Sequence, residues 1–330
     1  MSDQNCLSLK TFKWVDNCCY IDSVIVSLFI TNIKFIEDVI INKEIKPRKR
    51  NFLCVPSSYD DRSLEEKSYI DFEIRRKIQN KLRLLYNYIR NKNSSKVDLT
   101  CNELRHTISL CPTDDTYYLK IMGDSSDFLK YILSLFETNV LRIQKTLYGT
   151  NNTDALKPKN LKKIYDYVEN ESIVQNIDID KLNLNPRKNY KISKFLDYRE
   201  DLLDDNLKDK KIKNFERTII SKKIIDSPMI IFNFYRLFED VDTLKETFYK
   251  TKIIPSKIIK LDKNEKQFKL VSIIVFENKH YTCYFLCNEK WYYYDDSVVK
   301  KIIFIGDYIE LLKNKPSPVK NGVIYFYKKI

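Results

Sequence analysis

This chain of 330 residues has little glycine and little histidine, with four residues of the first type and two of the second. So few glycines argue against glycine-rich phosphate loops, and neither a P-loop nor a dinucleotide-binding fingerprint occurs. The chain also has no C-x-x-C pair, so a structural zinc site has little support. These absences exclude the common nucleotide-binding and zinc-finger classes.

Signals of a membrane or secreted protein are missing as well. The longest apolar stretch, Val24 to Ile30, is too short to span a bilayer, and no basic segment leads into an apolar signal region. Eight cysteines are scattered along the chain, which without a secretion signal favours reduced thiols over disulfides. We therefore expect a cytoplasmic protein without a membrane partner.

Hydrophobic residues make up 43% of the chain and aromatic residues 13%, which is enough for a packed core. The net charge of +13 suggests nucleic-acid binding, but the 45 acidic residues are interspersed among the lysines. Since no known binding module organises this charge, we expect a lysine-rich solvated surface and no specific nucleic-acid partner. The lysine, asparagine and isoleucine bias would suit a large DNA virus or another AT-rich genome.

Periodicity predicts helices in the first part of the chain and strands in the last part. Predicted helices span 23–38, 64–88, 101–110 and 126–136. Candidate caps are Asp22 or Ser23 for the first helix and Asp124 or Ser125 for the last. Predicted strands span 229–234, 268–276, 280–286, 291–294 and 322–327. This order indicates an α+β fold, with a polar segment of weak periodicity at 149–213 that is either an extended sub-region or a partly disordered insertion.

A histidine base would have to be His106 or His280. His106 lies in a predicted helix with only Glu103 nearby, which favours a surface or capping role. His280 begins a predicted strand, and the next strand ends in Asp295 and Asp296. If residues 287–290 form a turn with an even number of loop residues, His280 is the diagonal neighbour of Asp295 on one face. Asp296 would then point to the other face, while an odd loop would exchange the two aspartates.

Cys18 and Cys19 stand directly before an apolar helix. The positive end of a helix dipole favours a thiolate, and a nearby histidine would complete a nucleophile–base pair. The alternative is that both cysteines are small buried core residues.

Segments of the chain resemble, in order, the characteristic motifs of ubiquitin-specific proteases. They are Asn17-Cys-Cys-Tyr-Ile-Asp-Ser23 (cysteine box), Gly123–Leu133 (the Q-Q-D-x-x-E-F-L helix), Ser227–Phe238 (the strand ending in K-R-F), Lys279–Ser297 (histidine box) and Asn321–Tyr327 (closing strand). The region from the first to the last of them spans nearly the whole chain.

The resemblance implies a papain-like fold, with a helical thumb at 1–145 that carries the nucleophile. Residues 146–330 would form β-rich fingers and palm with the catalytic histidine and acid, 146–215 being variable. It implies hydrolysis after the C-terminal glycine of ubiquitin, with Cys19 as nucleophile, His280 as base and Asp295 as orienting acid. Cys18 is the alternative nucleophile. Such chemistry needs no metal or organic cofactor, and the implied partners are ubiquitin and ubiquitinated proteins.

Three departures from the family pattern bear on activity. Trp14 replaces the usual asparagine whose side chain stabilises the oxyanion. Asn17 and Asp296 are the candidates for an oxyanion or auxiliary role, and backbone N–H groups near Cys19 are the alternative. Lys279 replaces the glycine before the histidine, and the zinc motif of the fingers is missing. The alternatives are an inactive ubiquitin-binding pseudoprotease, or a protease for another ubiquitin-like modifier or a viral polyprotein.

Overall fold

The protein was analysed as a computed structural model that describes residues 6–90, 99–109, 123–136, 138–151, 161–179, 182, 184–185, 187–201, 217–240, 245–261, 266–298 and 301–330. The chain forms two compact units, one of residues 1–138 with 271–318 and the other of 139–270 with 319–330. Within the described part, no helix is long and apolar enough to cross a membrane.

The first unit holds the α-helices of the described residues. They are α1 (Cys19–Phe29), α2 (Lys34–Ile36), α3 (Leu64–Arg90), α4 (Asn102–Ile108), α5 (Ser125–Ser134) and α6 (Tyr308–Lys313). Short 3₁₀ turns at Cys6–Ser8 and Ser57–Tyr59 and a π-helical turn at Glu37–Asn42 complete its helical part. The predictions for α3, α4 and α5 are confirmed, with bounds within two residues.

The first predicted helix needs correction at both ends. It begins at Cys19 rather than Ser23, with Cys18 as the N-cap residue, and its α-helical part ends at Phe29. Asp22 and Ser23 are therefore not caps but lie buried within the first turns. Every residue of α1 is buried, because the helix packs against a strand and against α3 and α5. An acidic residue in this helix therefore faces the core rather than the helix end. Asp124 does cap α5, as predicted, and accepts from Ser126 N at 2.6 Å.

The strands of the first unit form an antiparallel meander. Strand β12 (Lys266–Glu277) enters the unit at Val271 and is followed by β13 (His280–Cys287), β14 (Lys290–Tyr294) and β15 (Ile302–Gly306). Helix α1 packs against β13, and Ser272 Oγ donates to Ser27 Oγ at 2.9 Å between β12 and α1. The meander thus holds one side of α1 in a fixed position.

The expectation of reduced thiols is wrong for two cysteines. Cys6 and Cys287 form a disulfide with their Cα atoms 6.2 Å apart. Their sequence separation of 281 residues hides this proximity, since only the folded chain brings the N-terminal 3₁₀ turn to the end of β13. Cys18, Cys19, Cys54, Cys101 and Cys283 are buried and form no disulfide, and Cys111 lies outside the described residues.

The second unit is built of strands and one 3₁₀ turn at Ile192–Leu196. Its strands are β1 (Leu141–Thr150), β2 (Lys162–Glu171), β3 (Val174–Asp178), β4 (Asn189–Lys191), β5 (Asp197–Asp201), β6 (Arg217–Asp226), β7 (Met229–Tyr235), β8 (Leu237–Asp240), β9 (Lys245–Phe248), β10 (Lys252–Ile254), β11 (Ile258–Leu261), the start of β12 and β16 (Gly322–Lys329).

These strands pair into several sheets. One is antiparallel with the order β2-β1-β6-β5, and in another β7 pairs antiparallel with β16 and parallel with β3. Strands β8 and β9 form a hairpin, β4 pairs with β10, and β11 pairs with the start of β12. The fully buried guanidinium of Arg236 donates to Gly322 O at 2.7 Å and to Thr251 O at 2.7 Å, which ties β7 to β16.

The prediction for the polar segment at 149–213 is settled only for the residues that the structure describes. Its described residues include β2, β3, β4 and β5, so these parts are ordered strands, while 152–160 and 202–213 lie outside the described residues. The division into a thumb at 1–145 and fingers with palm at 146–330 stays a prediction. The compact units follow a different division, because residues 271–318 belong with the N-terminal helices.

Candidate active site

Cys19 is the first residue of α1, where the helix N-terminus favours a negatively charged ligand or side chain. Its side chain is buried, with the residue 3% exposed. The two residues before Cys18 adopt the left-handed backbone region, Asp16 with φ 47° and Asn17 with φ 59°. This tight turn delivers the chain into the helix at the cysteine.

A buried arginine holds that turn. Arg105, from α4, is 1% exposed and its Nη1 donates to the carbonyl of Asp16 at 2.9 Å. The Cys18 amide donates to Val15 O at 3.2 Å, and the Val15 amide donates to Cys18 Sγ at 3.4 Å. The loop before Cys19 is therefore fixed from two sides, which keeps the position of the thiol constant.

His280 is the first residue of β13 and follows a two-residue turn in which both residues have positive φ. Asn278 has φ 52° and Lys279 has φ 59°, and Glu277 pairs with His280 across the turn. This is the geometry of a tight hairpin whose strands keep their right-handed twist. A lysine in the left-handed region is strained, because its Cβ lies too close to the following carbonyl oxygen.

The predicted register of β13 and β14 is confirmed. Leu286 pairs with Trp291 and Cys287 pairs with Lys290, so the loop contains an even number of residues. The pairing places His280 beside Asp295, and His280 Nε2 lies 2.9 Å from Asp295 Oδ1.

Asp295 is held by donors beyond the histidine. Ser297 donates to Asp295 Oδ1 through its amide at 2.9 Å and through its hydroxyl at 2.7 Å. Burial raises the pKa of this carboxyl, but the hydrogen bonds from His280 and Ser297 outweigh it and hold the pKa at about 2. Asp295 is therefore an ionised carboxylate across the physiological range.

The environment of His280 stabilises its charged form. The hydrogen bond with Asp295 is the largest cause and the contact with the Cys19 thiol the second, and together they raise the pKa of His280 to about 10 against the effect of burial. The structure thus brings Cys19, His280 and Asp295 together, all within the first unit.

The register argument predicted that Asp296 points to the opposite face from His280, and this prediction is wrong. Asp296 Oδ1 lies 3.6 Å from His280 Nε2, and the residue is 3% exposed. The reason is that β14 ends at Tyr294 and the chain turns at 296–297, so strand alternation no longer applies. Burial, followed by the neighbouring Asp22, raises the pKa of Asp296 to about 8.

Sequence reasoning missed the partners of Asp296. Asp22 is fully buried in α1, and its Oδ2 accepts a hydrogen bond from Cys18 Sγ at 3.0 Å. Burial, with Asp22 second, raises the pKa of the Cys18 thiol far above its usual range. The presence of Asp22 in a largely apolar helix is the sequence feature that could have indicated this cluster.

The start of α5 supports the residues next to the candidate pair. Tyr281, directly after His280, donates to Asp124 Oδ2 at 2.8 Å. Tyr20, directly after Cys19, packs edge-to-face on Phe128 with centroids 6.0 Å apart. Gly123 lies so close to this ring that an added Cβ would be 2.8 Å from Tyr20 Cε2.

The remaining sequence candidates are exposed. Asn17 lies at the surface in the left-handed turn, and Trp14 is 43% exposed. His106 is exposed in α4, as predicted.

The sequence matches the family model for ubiquitin carboxyl-terminal hydrolase over residues 12–327, nearly the whole chain. A comparison with curated proteins found no match. Members of this family are cysteine-type hydrolases that act on ubiquitin or ubiquitinated substrates, and the order of helices and antiparallel-rich sheets described above fits their papain-like α+β fold. The chain therefore belongs to the ubiquitin carboxyl-terminal hydrolase family.

Proposed function

We propose that this protein is a deubiquitinase that hydrolyses isopeptide or peptide bonds after the C-terminal glycine of ubiquitin, with Cys19, His280 and Asp295 as its catalytic triad. The observation that carries the proposal is the placement of the Cys19 thiol beside His280, whose Nε2 lies 2.9 Å from Asp295 Oδ1. A thiol, a base and a group that orients the base are the parts that acyl transfer to cysteine requires.

Proton transfer from Cys19 to His280 gives the thiolate–imidazolium pair from which the reaction starts. The thiolate attacks the carbonyl carbon of the terminal glycine and forms a tetrahedral oxyanion. The imidazolium then donates its proton to the leaving amine, and water activated by the same histidine releases ubiquitin from the acyl-enzyme. Asp295 binds Nε2 of His280 and so orients the ring. The other ring nitrogen, Nδ1, is then the one that exchanges the proton with the thiol.

The oxyanion must be stabilised without the usual asparagine, because Trp14 stands in its place. Backbone N–H groups at the start of α1 are the donors that the site offers, since the first amides of a helix have no partner within it. Loss of one oxyanion donor costs about 10²–10³ in rate in other hydrolases. We therefore expect slow turnover with an intact triad.

Cys18 is poorly suited to act as the nucleophile. Its thiol is fully buried, it donates to Asp22, and its pKa is raised by that environment. A thiol that stays protonated does not attack a carbonyl at neutral pH. The geometry favours Cys19 for this reason.

The experiment is labelling with ubiquitin that carries a thiol-reactive group at its C-terminus. Wild type, Cys18→Ala and Cys19→Ala are compared, with Cys54→Ala as a control that removes another buried thiol. We expect a covalent adduct in all but Cys19→Ala.

Two other results would contradict the proposal. Tight binding of ubiquitin without an adduct in the wild type would point to a binding protein without activity. No binding at all would point to a different modifier as substrate.

A further inference from the structure

A buried cluster of Cys18, Asp22 and Asp296 lies beside the candidate triad. The Cys18 Sγ atom and one carboxylate oxygen from each aspartate lie within 4.8 Å of one another. The exposed fractions of the three residues are 0%, 0% and 3%. The cluster is not needed for the acyl-transfer steps, so its chemistry calls for a separate explanation.

Three of the four carboxyl oxygens in this cluster have no hydrogen-bond donor among the described residues, while Asp22 Oδ2 accepts from Cys18 Sγ at 3.0 Å. No donor among the described residues reaches Oδ1 of Asp22 or either oxygen of Asp296 within hydrogen-bonding distance, and all three atoms are shielded from solvent. His280 Nε2, at 3.6 Å from Asp296 Oδ1, is engaged by Asp295 instead. Two buried carboxyl groups that meet without a donor require either a proton between them or a bound cation.

Among the described residues, no cation forms a hydrogen bond with these three oxygen atoms. Lys301 acts on Asp22 electrostatically, but its ammonium group donates to the carbonyl of Phe12. The free thiol of Cys101 also contacts Asp22, which adds a second sulfur at the edge of the cluster. Sulfur beside two carboxylates is a ligand set for Zn²⁺ rather than for Mg²⁺ or Ca²⁺, which prefer oxygen alone.

We propose that Cys18, Asp22 and Asp296 bind a Zn²⁺ ion and that the bound ion inhibits hydrolysis at Cys19. Binding releases the thiol proton of Cys18 and the proton between the two carboxyl groups to solvent, and no group is oxidised or reduced. Three protein ligands leave one position of a tetrahedral ion for water.

Inhibition follows from where the ion would lie. Asp296 reaches to 3.6 Å from His280, so a cation bound to it opposes the imidazolium that the reaction needs. Cys18 is adjacent to Cys19 and is the N-cap residue of α1, so a metal bond to it changes the start of that helix. The inhibitory effect rests on the proposed function, whereas the binding of the ion does not.

The test uses the full chain, treated with a chelator and then titrated with Zn²⁺ or with Co²⁺ as a spectroscopic probe. We expect one ion per chain and, with Co²⁺, a sulfur-to-metal charge-transfer band. Cys18→Ser should remove the band and weaken Zn²⁺ binding by about tenfold or more, since even partners outside the ligand shell contribute about 10–100-fold. Cys54→Ser, which removes a buried thiol outside the cluster, should leave both unchanged.

Several outcomes would overturn the proposal. They are a lack of binding, binding unaffected by Cys18→Ser, and a band that Cys19→Ala removes but Cys18→Ser does not. Asp296→Asn keeps the shape of the side chain and should also weaken Zn²⁺ binding. It tests the site independently if the Cys18 variant does not fold. In a ubiquitin hydrolysis assay, Zn²⁺ should inhibit the wild type more than Cys18→Ser. If the chain hydrolyses no ubiquitin, the cobalt band still decides whether the site exists.

Discussion

Replacing Asp295 by asparagine tests the part of the site that distinguishes a triad from a simple cysteine–histidine pair. The change keeps the size of the side chain but removes the charge that His280 contacts at 2.9 Å. Because Asp296 lies at 3.6 Å from the same nitrogen, Asp296→Asn is the matched variant. Comparing the activities of the two variants shows which aspartate stabilises the imidazolium.

The expected size of the effect comes from the pKa values of the pair. The pKa of His280 is raised from 6.5 to about 10 by Asp295 and then Cys19, while that of Asp295 is lowered from 3.8 to about 2. Burial opposes both shifts, while Cys19 adds to the shift of His280 and Ser297 adds to that of Asp295. We use the smaller shift as the conservative figure for the pair, and it corresponds to about 2 kcal/mol. That energy is equivalent to about thirtyfold in rate.

The assay is kcat/KM for release of a fluorescent amine from the C-terminus of ubiquitin at pH 7, with a chelator present. We expect Asp295→Asn to lose about thirtyfold or more, and Asp296→Asn to lose less. Activity that survives in Asp295→Asn but disappears in Asp296→Asn would refute the reasoning, because the nearer carboxylate would then not be the one that supports His280.

Further predictions concern pH and stability. In the presence of a chelator, kcat/KM should fall on the alkaline side near pH 10, because deprotonation of His280 ends the charged pair, and Asp295→Asn should move this limb to lower pH. Lys279→Gly should stabilise the fold by about 0.5–1 kcal/mol, since it relieves a left-handed lysine at φ 59°, and a lower urea midpoint would contradict this. Gly123→Ala should destabilise by about 1–3 kcal/mol in the same urea assay, because its Cβ would be 2.8 Å from the Tyr20 ring.

The hairpin that carries the candidate acid and base was predictable because its determinants are local. Strand alternation and an even loop length fix which residues of β13 and β14 share a face, and the observed pairing of Leu286 with Trp291 follows. The same rule failed for Asp296, two residues further on, because it holds only while the strand continues. Local patterns therefore predict a site only as far as the regular element extends.

Long-range features were not predictable in this way. The disulfide between Cys6 and Cys287 joins residues 281 positions apart, and the compact unit that contains the site is assembled from two separate parts of the chain. Asp22 looked like a helix cap because helix starts usually carry such residues, yet the helix begins three residues earlier and buries it. Contacts between distant segments decide these points, and the pattern within each segment does not contain them.

The central claim is that His280 is the catalytic base, and the chain offers a matched control because its only other histidine is His106. The decisive measurement is kcat/KM for ubiquitin C-terminal hydrolysis by wild type, His280→Ala and His106→Ala. We predict a loss of about 10²–10⁴-fold in His280→Ala, the usual contribution of general acid–base catalysis, and activity near wild type in His106→Ala. Equal rates for His280→Ala and wild type would contradict the account.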